Sequence, residues 1–332
     1  MLHRIARSLR FLAPALALAC AAPAAFAAGT LKIGTVIWIG YGPYYVAEAL
    51  DLFKKSGVKV ELQIFTDPAL IPPAIESGAL AGGMVTYDQV IGVVAKGSTQ
   101  RVVMPIDYSN GGDAIVTATS LTKVADLKGK KVAFNPLSPS DFLLSYALKT
   151  AGLAEKDIEP VNMTPEAIPA ALASGSLLAG VTYEPSVSQV VGMEGGKKFH
   201  VLFSTKNAPG LITDVLVFKK EYIKSNPKDV RALIQGYIDG LAYMKKNPDD
   251  AAKIIGKALG ISAAEVKEQL SGVYNLEAKE LGSVFAKSKE TTSFFVSGEL
   301  IGSILKNKGQ IAAVPKIEDT FDDTVLKAMA KK

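Results

Sequence analysis

One short motif occurs twice in this sequence, and it constrains the fold more than any other feature. Residues 77–88 read SGALAGGMVTYD, and residues 174–184 read SGSLLAGVTYE. Each copy has a glycine break, a short apolar run, and then Thr-Tyr-acid at the start of a helical pattern, which is typical of a strand that leads into a helix. The repetition predicts two α/β lobes of similar construction that line one cleft. Chance similarity between two ordinary strand-to-helix turns is the alternative.

The rest of the chain alternates predicted strands with predicted helices. Apolar runs predict strands over residues 31–37, 58–65, 101–106, 132–135, 199–203 and 215–218. In the segment 58–65, the alternation predicts that Val58, Val60, Leu62 and Ile64 point inward. The early β-α-β-α-β order predicts a parallel sheet flanked by helices.

After Asp214 the sequence is almost wholly helical, and these helices are expected to pack on the first lobe. The predicted fold class is therefore α/β, with two lobes, a two-stranded hinge and a helical C-terminal region. The expected boundaries are residues 28–112 and 214–332 for lobe 1 and residues 113–213 for lobe 2. The chain would cross between the lobes near residues 110–114 and 209–214, which is the arrangement of a hinge.

The N-terminus is predicted to be a cleaved signal peptide over residues 1–27. Three arginines precede an apolar stretch over residues 11–22, and Ala25-Phe26-Ala27 fits a small-x-small cleavage site. A membrane anchor is disfavoured because prolines interrupt the stretch. A lipid anchor on Cys20, the sole cysteine, is also disfavoured because Ala17 occupies the position where a lipobox usually has leucine.

Composition argues against several classes of protein. Without Cys20 the chain can form neither a disulfide nor a thiolate metal site. One histidine remains after the leader, His200, which is too few for a multi-histidine metal site and gives no confident catalytic triad. The lysines are scattered along the chain, so no nucleic-acid partner is predicted. We expect no cofactor and no metal, and we expect a binding protein in preference to an enzyme.

Five stretches in order resemble one known family: residues 40–57, 107–116, 126–133, 183–185 and 214–217. They are similar to the type II periplasmic solute-binding proteins of the nitrate/sulfonate/taurine (NitT/TauT-like) ABC importer family. The resemblance implies a periplasmic monomer that captures a small nitrogen- or sulfur-containing solute by hinge closure. Its partners would be an inner-membrane permease and the associated ATPase. A role with a sensor in place of an importer remains open.

Ligands of open α/β sheets bind beyond the carboxyl ends of the strands, where loops and helix N-termini meet. That rule, with the resemblance, gives twelve candidate ligand-binding residues: Trp38, Tyr41, Tyr44, Thr86, Tyr87, Asp113, Ser140, Asp141, Thr182, Tyr183, Glu184 and Asp214. Each has a structural alternative: the aromatic residues could pack in the core, and the hydroxyl and carboxyl groups could cap helices.

The segments that carry these candidates contain five acids and no lysine or arginine: Asp88, Asp113, Asp141, Glu184 and Asp214. Only Arg101 and Arg231 follow the leader, on a predicted strand and a predicted helix. Aromatic rings with carboxylates suit a cationic solute, so a guanidine-, amidine- or pyrimidine-type ligand is an alternative to a sulfonate. A pyrimidine-synthase-like enzyme is a further alternative, disfavoured by the single histidine and the leader.

Overall fold

The computed structural model describes residues 30–330. The predicted signal peptide and Cys20 lie outside the described residues. The strands are β1 Leu31–Thr35, β2 Val60–Ile64, β3 Gly82–Thr86, β4 Gln100–Ser109, β5 Asp113–Ala118, β6 Lys131–Phe134, β7 Glu159–Asn162, β8 Ala179–Tyr183, β9 Phe199–Ser204, β10 Thr213–Lys219 and β11 Val273–Asn275. The α-helices are α1 Gly42–Ala49, α2 Ile71–Glu76, α3 Tyr87–Val94, α4 Pro139–Thr150, α5 Ile168–Ala173, α6 Ser186–Gly192, α7 Lys220–Ser225, α8 Pro227–Lys246, α9 Pro248–Leu259, α10 Ala263–Gln269, α11 Phe294–Asn307 and α12 Thr324–Ala330.

The strands form two separate sheets. The first has the order β11-β4-β10-β3-β1-β2, and the second has the order β7-β6-β8-β5-β9. We call the first sheet with its helices lobe 1 and the second with its helices lobe 2. The predicted α/β two-lobe fold class is confirmed. As predicted, β1 pairs in parallel with β2 and β3, and β4 runs in the same direction. The sheet is nevertheless mixed, because β10 lies between β3 and β4 and pairs antiparallel with both.

The edge strand β2 departs from the predicted pattern. Ile64 was expected to point inward, but its side chain is 50% exposed. The strand pairs with β1 on one side only, so it borders the sheet, and none of its residues is fully buried. Apolar alternation alone does not distinguish such an edge strand from a central one.

The two chain segments that cross between the lobes are hydrogen-bonded to each other. The Oγ atoms of Ser109 and Thr205 lie 2.9 Å apart, and the Gly111 N–H donates to Thr205 Oγ1 at 2.7 Å. The N–H groups of Asn110 and Gly112 both donate to the carbonyl of Gly272, at 2.8 and 3.0 Å. The first crossing segment is therefore hydrogen-bonded both to the second crossing region and to the C-terminal region.

The doubled motif forms the same local unit in both lobes up to its last residues. Glycines in β3 and β8 let a helix or strand approach closely: a Cβ on Gly82 would lie 2.5 Å from Phe218, and one on Gly180 would lie 2.6 Å from Ile168. The first copy runs from Thr86 directly into α3, whereas the second reaches α6 only at Ser186.

The C-terminal helices pack on lobe 1, as predicted. Helix α8 lies against α1 so closely that a Cβ on Gly240 would be 2.0 Å from the carbonyl oxygen of Pro43. The buried hydroxyl of Tyr237, on the same helix, lies 2.6 Å from the carbonyl oxygen of Ile106 at the sheet. Within residues 30–330, every helix is too short or too polar to cross a membrane.

Candidate functional site

A small cavity lies between the two lobes, next to the crossing segments. Its lining residues come from both lobes: Val36, Trp38, Tyr41, Pro68, Met84, Val85, Thr86, Gln89 and Asp214 from lobe 1, with Asp113, Pro139 and Tyr183 from lobe 2. The space for the centre of a water-sized sphere is about 20 Å³, close to what a single water needs. The lobes are therefore closed on each other in this structure.

Trp38 contacts both lobes at this cavity. It follows β1 and precedes a short 3₁₀ turn, and its indole Nε1 lies 3.3 Å from both carboxyl oxygens of Asp107. Its ring meets the Tyr183 ring of lobe 2 edge to face, with centroids 5.9 Å apart. A Cβ on Gly112 would lie 2.5 Å from the indole ring, so the crossing segment needs glycine here. The side chain is 3% exposed.

Strand register brings the acidic residues together. Because β10 pairs antiparallel with β4, Asp214 lies directly beside Asp107. The hydroxyl of Tyr41 donates to Asp214 Oδ1 at 2.5 Å. Asp113 is the first residue of β5, directly after the crossing segment, and its N–H donates to Ser109 Oγ at 3.0 Å. The cavity wall thus carries two carboxyl groups, that of Asp214 from lobe 1 and that of Asp113 from lobe 2. The carboxyl group of Asp107 belongs to the residue paired with Asp214 and is not part of the lining.

Burial makes these carboxyl groups weak acids. Burial raises the pKa of Asp107 well above its ordinary value, and burial together with the charge of Asp107 does the same to the pKa of Asp214. Burial raises the pKa of Asp113 to about 7 and that of nearby Asp88 to about 6. Among the residues the structure describes, those lining the cavity include no lysine, arginine or histidine.

Tyr183 has an unused hydrogen-bonding group at the same place. Its ring lines the cavity and is 3% exposed, yet its hydroxyl has no hydrogen-bond partner within the described chain. The pKa of this hydroxyl is raised well above its ordinary value, first by burial and then by Glu166, Asp113 and Asp214. Buried hydroxyls are nearly always paired, so an unpaired one at a cavity calls for an explanation.

A second cavity of about 210 Å³ borders the first and shares Gln89 with it. The predicted site residue Asp141 lines this second cavity and is bonded across the cleft. It accepts hydrogen bonds from Lys308 and, at 2.8 Å, from Gln310 Nε2, both of lobe 1. Lys308 also lies 2.7 Å from Glu155 of lobe 2. We call these four residues the interlobe latch.

Several predicted site residues lie away from the first cavity and have structural contacts instead. Tyr44 packs between Phe53 and Tyr237 inside lobe 1. Tyr87 packs 4.1 Å from Phe294, centroid to centroid, and its hydroxyl bonds Thr320. These two tyrosines are part of the lobe 1 core, because the chain turns their rings toward the C-terminal helices.

In lobe 2 three predicted residues lie away from the first cavity, and two of them have structural hydrogen bonds. Thr182 donates to the carbonyl of Pro165 at 3.0 Å, and Glu184 accepts from the N–H and hydroxyl of Ser188 at 3.0 and 2.8 Å. Ser140 is buried with its Oγ unpaired, and its neighbour Pro139 reaches the cavity. Trp38, Tyr41, Thr86, Asp113, Tyr183 and Asp214 are the predicted residues that line it.

Asp107 and Gln89 are the important residues that the sequence predictions missed. The predicted strand ended at residue 106, whereas β4 continues to Ser109 and carries Asp107 inside the sheet. An acid directly after an apolar strand was the available signal. Gln89 donates to the carbonyl of Pro68 at 3.0 Å and, across the cleft, to that of Leu137 at 3.4 Å. Gln89 contacts both lobes only when they are closed, and the sequence alone does not predict the closed arrangement.

Comparison with known proteins shows which family this chain belongs to. A family profile described as "NMT1/THI5 like" matches residues 38–251. The chain belongs to the NMT1/THI5-like family. It is 28% identical over 238 residues to the taurine-binding periplasmic protein of Escherichia coli K12, with 70% of this chain and 72% of that protein covered.

Solved structures of similar proteins share the fold of this NMT1/THI5-like chain. The periplasmic aliphatic sulphonate binding protein SsuA of Escherichia coli superposes with a TM-score of 0.71 at 19% identity, over 90% of this chain and 99% of that one. The nitrate-binding protein NrtA of Synechocystis PCC 6803 gives 0.69 at 14% identity, over 92% and 89%. The resemblance to solute-binding proteins that the sequence motifs indicated is confirmed.

Proposed function

We propose that this protein is the solute-binding component of an ABC importer and that it captures a small nitrogen- or sulfur-containing organic solute. The observation that carries the proposal is the closed cavity, which both lobes line and which lies beside the two crossing segments. Membership in the NMT1/THI5-like family and similarity to taurine-, sulphonate- and nitrate-binding proteins support it. The protein would act as a monomer in the periplasm and pass its solute to a permease with its ATPase.

Capture would proceed by hinge closure, with residues 28–112 and 214–332 moving against residues 113–213. The cavity has room for a small group only, so a solute enters when the lobes separate. A solute that contacts both walls favours the closed state by its differential affinity for that state. The Trp38–Tyr183 contact, which joins the lobes, forms at the same step.

The site favours binding over catalysis. His200, the one histidine in the described chain, lies on β9 in lobe 2, where Nε2 is 3.3 Å from Thr117 Oγ1. It is not among the residues lining the cavity. A pyrimidine-synthase-like enzyme would need a histidine-centred site, and no histidine lines the described cavity. This supports the binding proposal over a pyrimidine-synthase-like enzyme.

Thermal shift and tryptophan fluorescence test the proposal. The panel comprises taurine, ethanesulfonate, nitrate, guanidinium, acetamidinium and an aminopyrimidine. A solute at a hundredfold its dissociation constant adds about 2.7 kcal/mol to stability and raises Tm by several degrees at roughly 2–4 °C per kcal/mol. Trp38 is the single tryptophan, so its emission should change with the same midpoint. The proposal fails if no panel member changes either signal.

A further inference from the structure

We propose that the captured solute presents a positively charged nitrogen group, an ammonium, amidinium or guanidinium, to the cavity between Asp113 and Asp214. This rests on the proposed function and specifies its substrate class. The two carboxyl groups stand on opposite lobes, so one cation between them would join the lobes directly. The polar side chains that line the cavity are acidic, hydroxylic or amide-bearing, and the remaining lining residues are aromatic or apolar.

The acidic groups have no cation of their own. Asp107, Asp113 and Asp214 are at most 4% exposed, and the ion pairs of the described chain include none of them. A buried carboxylate is costly unless a counter-charge or hydrogen bonds offset the loss of water. Arg101 is not their counter-ion, because its guanidinium donates to the backbone carbonyls of Ser98 and Gln100 at the other end of β4.

The described acids are also not arranged as metal ligands: no group of three or more histidine, cysteine, aspartate or glutamate residues within residues 30–330 could hold a metal ion. An organic cation fits the remaining features better. Trp38 and Tyr183 supply aromatic surfaces from the two lobes, and a cation within about 6 Å of such a ring is attracted to its face. A planar amidinium or guanidinium can also donate to two carboxyl groups at once.

The unpaired hydroxyl of Tyr183 is an independent sign of a ligand. It is buried, and the charges of Glu166, Asp113 and Asp214 act on it in that order. No side chain of the described chain pairs with it, whereas the corresponding wall in lobe 1 has its Tyr41 hydroxyl bonded to Asp214. A solute between the two carboxyl groups would lie beside this hydroxyl and could pair with it.

The sign of the pH dependence separates a cation from an anion at this site. In the closed structure without a solute, burial raises the pKa of Asp113 to about 7, so the group is largely protonated there at pH 5–6. A cation favours the ionised form, so its binding releases protons and tightens as pH rises from 5 to 8. An anion favours the protonated form and weakens over the same interval. The titratable groups facing this site are Tyr41, Tyr45, Asp88, Asp107, Glu166, Tyr183, Glu184 and Asp214.

Isothermal titration at pH 5, 6, 7 and 8 with guanidinium, acetamidinium, taurine, ethanesulfonate and nitrate tests the proposal. We expect a nitrogen cation, or taurine in preference to ethanesulfonate, to bind with an affinity that rises with pH. Asp113→Asn and Asp214→Asn should each weaken that binding about thirtyfold or more, because each removes one partner of a buried charge pair. Asp319→Asn, at an exposed position in lobe 1, is the matched control and should bind as the parent does.

Thermal unfolding of each variant shows whether it folds, and the neutral asparagine keeps the size of the side chain. Binding of ethanesulfonate or nitrate with no binding of the cations overturns the inference and leaves the proposed function standing. Cation binding that survives both asparagine substitutions, or that weakens as pH rises, also overturns it. If no probe binds, the inference and the proposed function fail together.

Discussion

The interlobe latch offers the sharpest test of closure, because its charged groups stand on different lobes. Lys308 follows α11 in lobe 1, and its side chain is 16% exposed. It pairs with Asp141, at the start of α4 in lobe 2, and with Glu155, and its Nζ lies 2.9 Å from Ser145 Oγ. Lys308→Met keeps the aliphatic stem and removes every one of these bonds. The closed state alone should lose them.

The size of the expected loss in affinity depends on the hydrogen bonds that Asp141 keeps after the substitution. Breaking a buried ion pair costs about 3–5 kcal/mol when the remaining charge has no other partner. Asp141 keeps two bonds, from the Leu137 N–H at 3.0 Å and from Gln310 Nε2 at 2.8 Å. We therefore expect a loss near that of one charged hydrogen bond, about 2 kcal/mol. For a protein that is open before binding, this makes solute affinity about thirtyfold weaker.

The measurement is a titration followed by Trp38 fluorescence, with small-angle scattering of the unliganded protein to detect opening. Lys306→Met is the matched control: Lys306 is exposed on the last turn of the same helix and forms none of the ion pairs in the described chain. Both variants lose one positive charge near the helix C-terminus, so dipole effects cancel. Equal affinities for Lys308→Met and Lys306→Met would refute the reasoning.

Three further predictions follow from single contacts. Tyr44→Phe and Tyr183→Phe each remove a buried unpaired hydroxyl, so each should raise the free energy of unfolding by up to about 1 kcal/mol in denaturant titrations. Only Tyr183→Phe should weaken solute binding. Equal solute affinities for the two variants would exclude a ligand role for the Tyr183 hydroxyl. Because burial raises the folded-state pKa of Asp113 to about 7, its contribution to stability is complete below pH 4 and is lost as pH rises through 7, by up to about 4 kcal/mol. Asp113→Asn should flatten that slope in Tm against pH, and an unchanged slope would rule out this assignment. Gly240→Ala should lower the free energy of unfolding by about 3 kcal/mol or more, because the added Cβ overpacks against Pro43. Gly92→Ala in α3, where an added Cβ would have its nearest neighbour at 4.0 Å, should be neutral or stabilising. Similar Tm values for the two variants would contradict the close packing of α8 on α1.

The sequence predicts the lobes well because their construction is local. Repeated strand-to-helix units such as residues 77–88 and 174–184 carry their own apolar period and glycine breaks, so each is legible without its partners. The antiparallel position of β10 cannot be predicted from its local sequence. It depends on which strand edge is free after the chain has crossed twice, and that is a property of the assembled sheet.

The site is partly predictable for the same reason. Trp38 follows the carboxyl end of β1, where the rule for open sheets places ligands. Asp113 and Asp214 lie at the starts of β5 and β10, which run antiparallel to β8 and β3 and so begin at the edge where those strands end. Tyr87 and Tyr44 occupy equally suggestive positions in the sequence, yet their rings turn into the core, because helical phase relative to the C-terminal helices decides their direction. Asp107 becomes part of the site only through its register with β10.

The carbonyl of Gly272 has a consequence for how such a protein can change over time. It receives two N–H groups from the crossing segment at Asn110 and Gly112, yet it lies after α10, outside the cavity. The residues that line the cavity and the residue that bonds the crossing segment therefore lie in separate stretches of the chain. We therefore expect substitutions around Gly272 to change the affinity for a solute without changing the cavity wall. Two relatives with identical cavity walls would then bind the same solute with different dissociation constants.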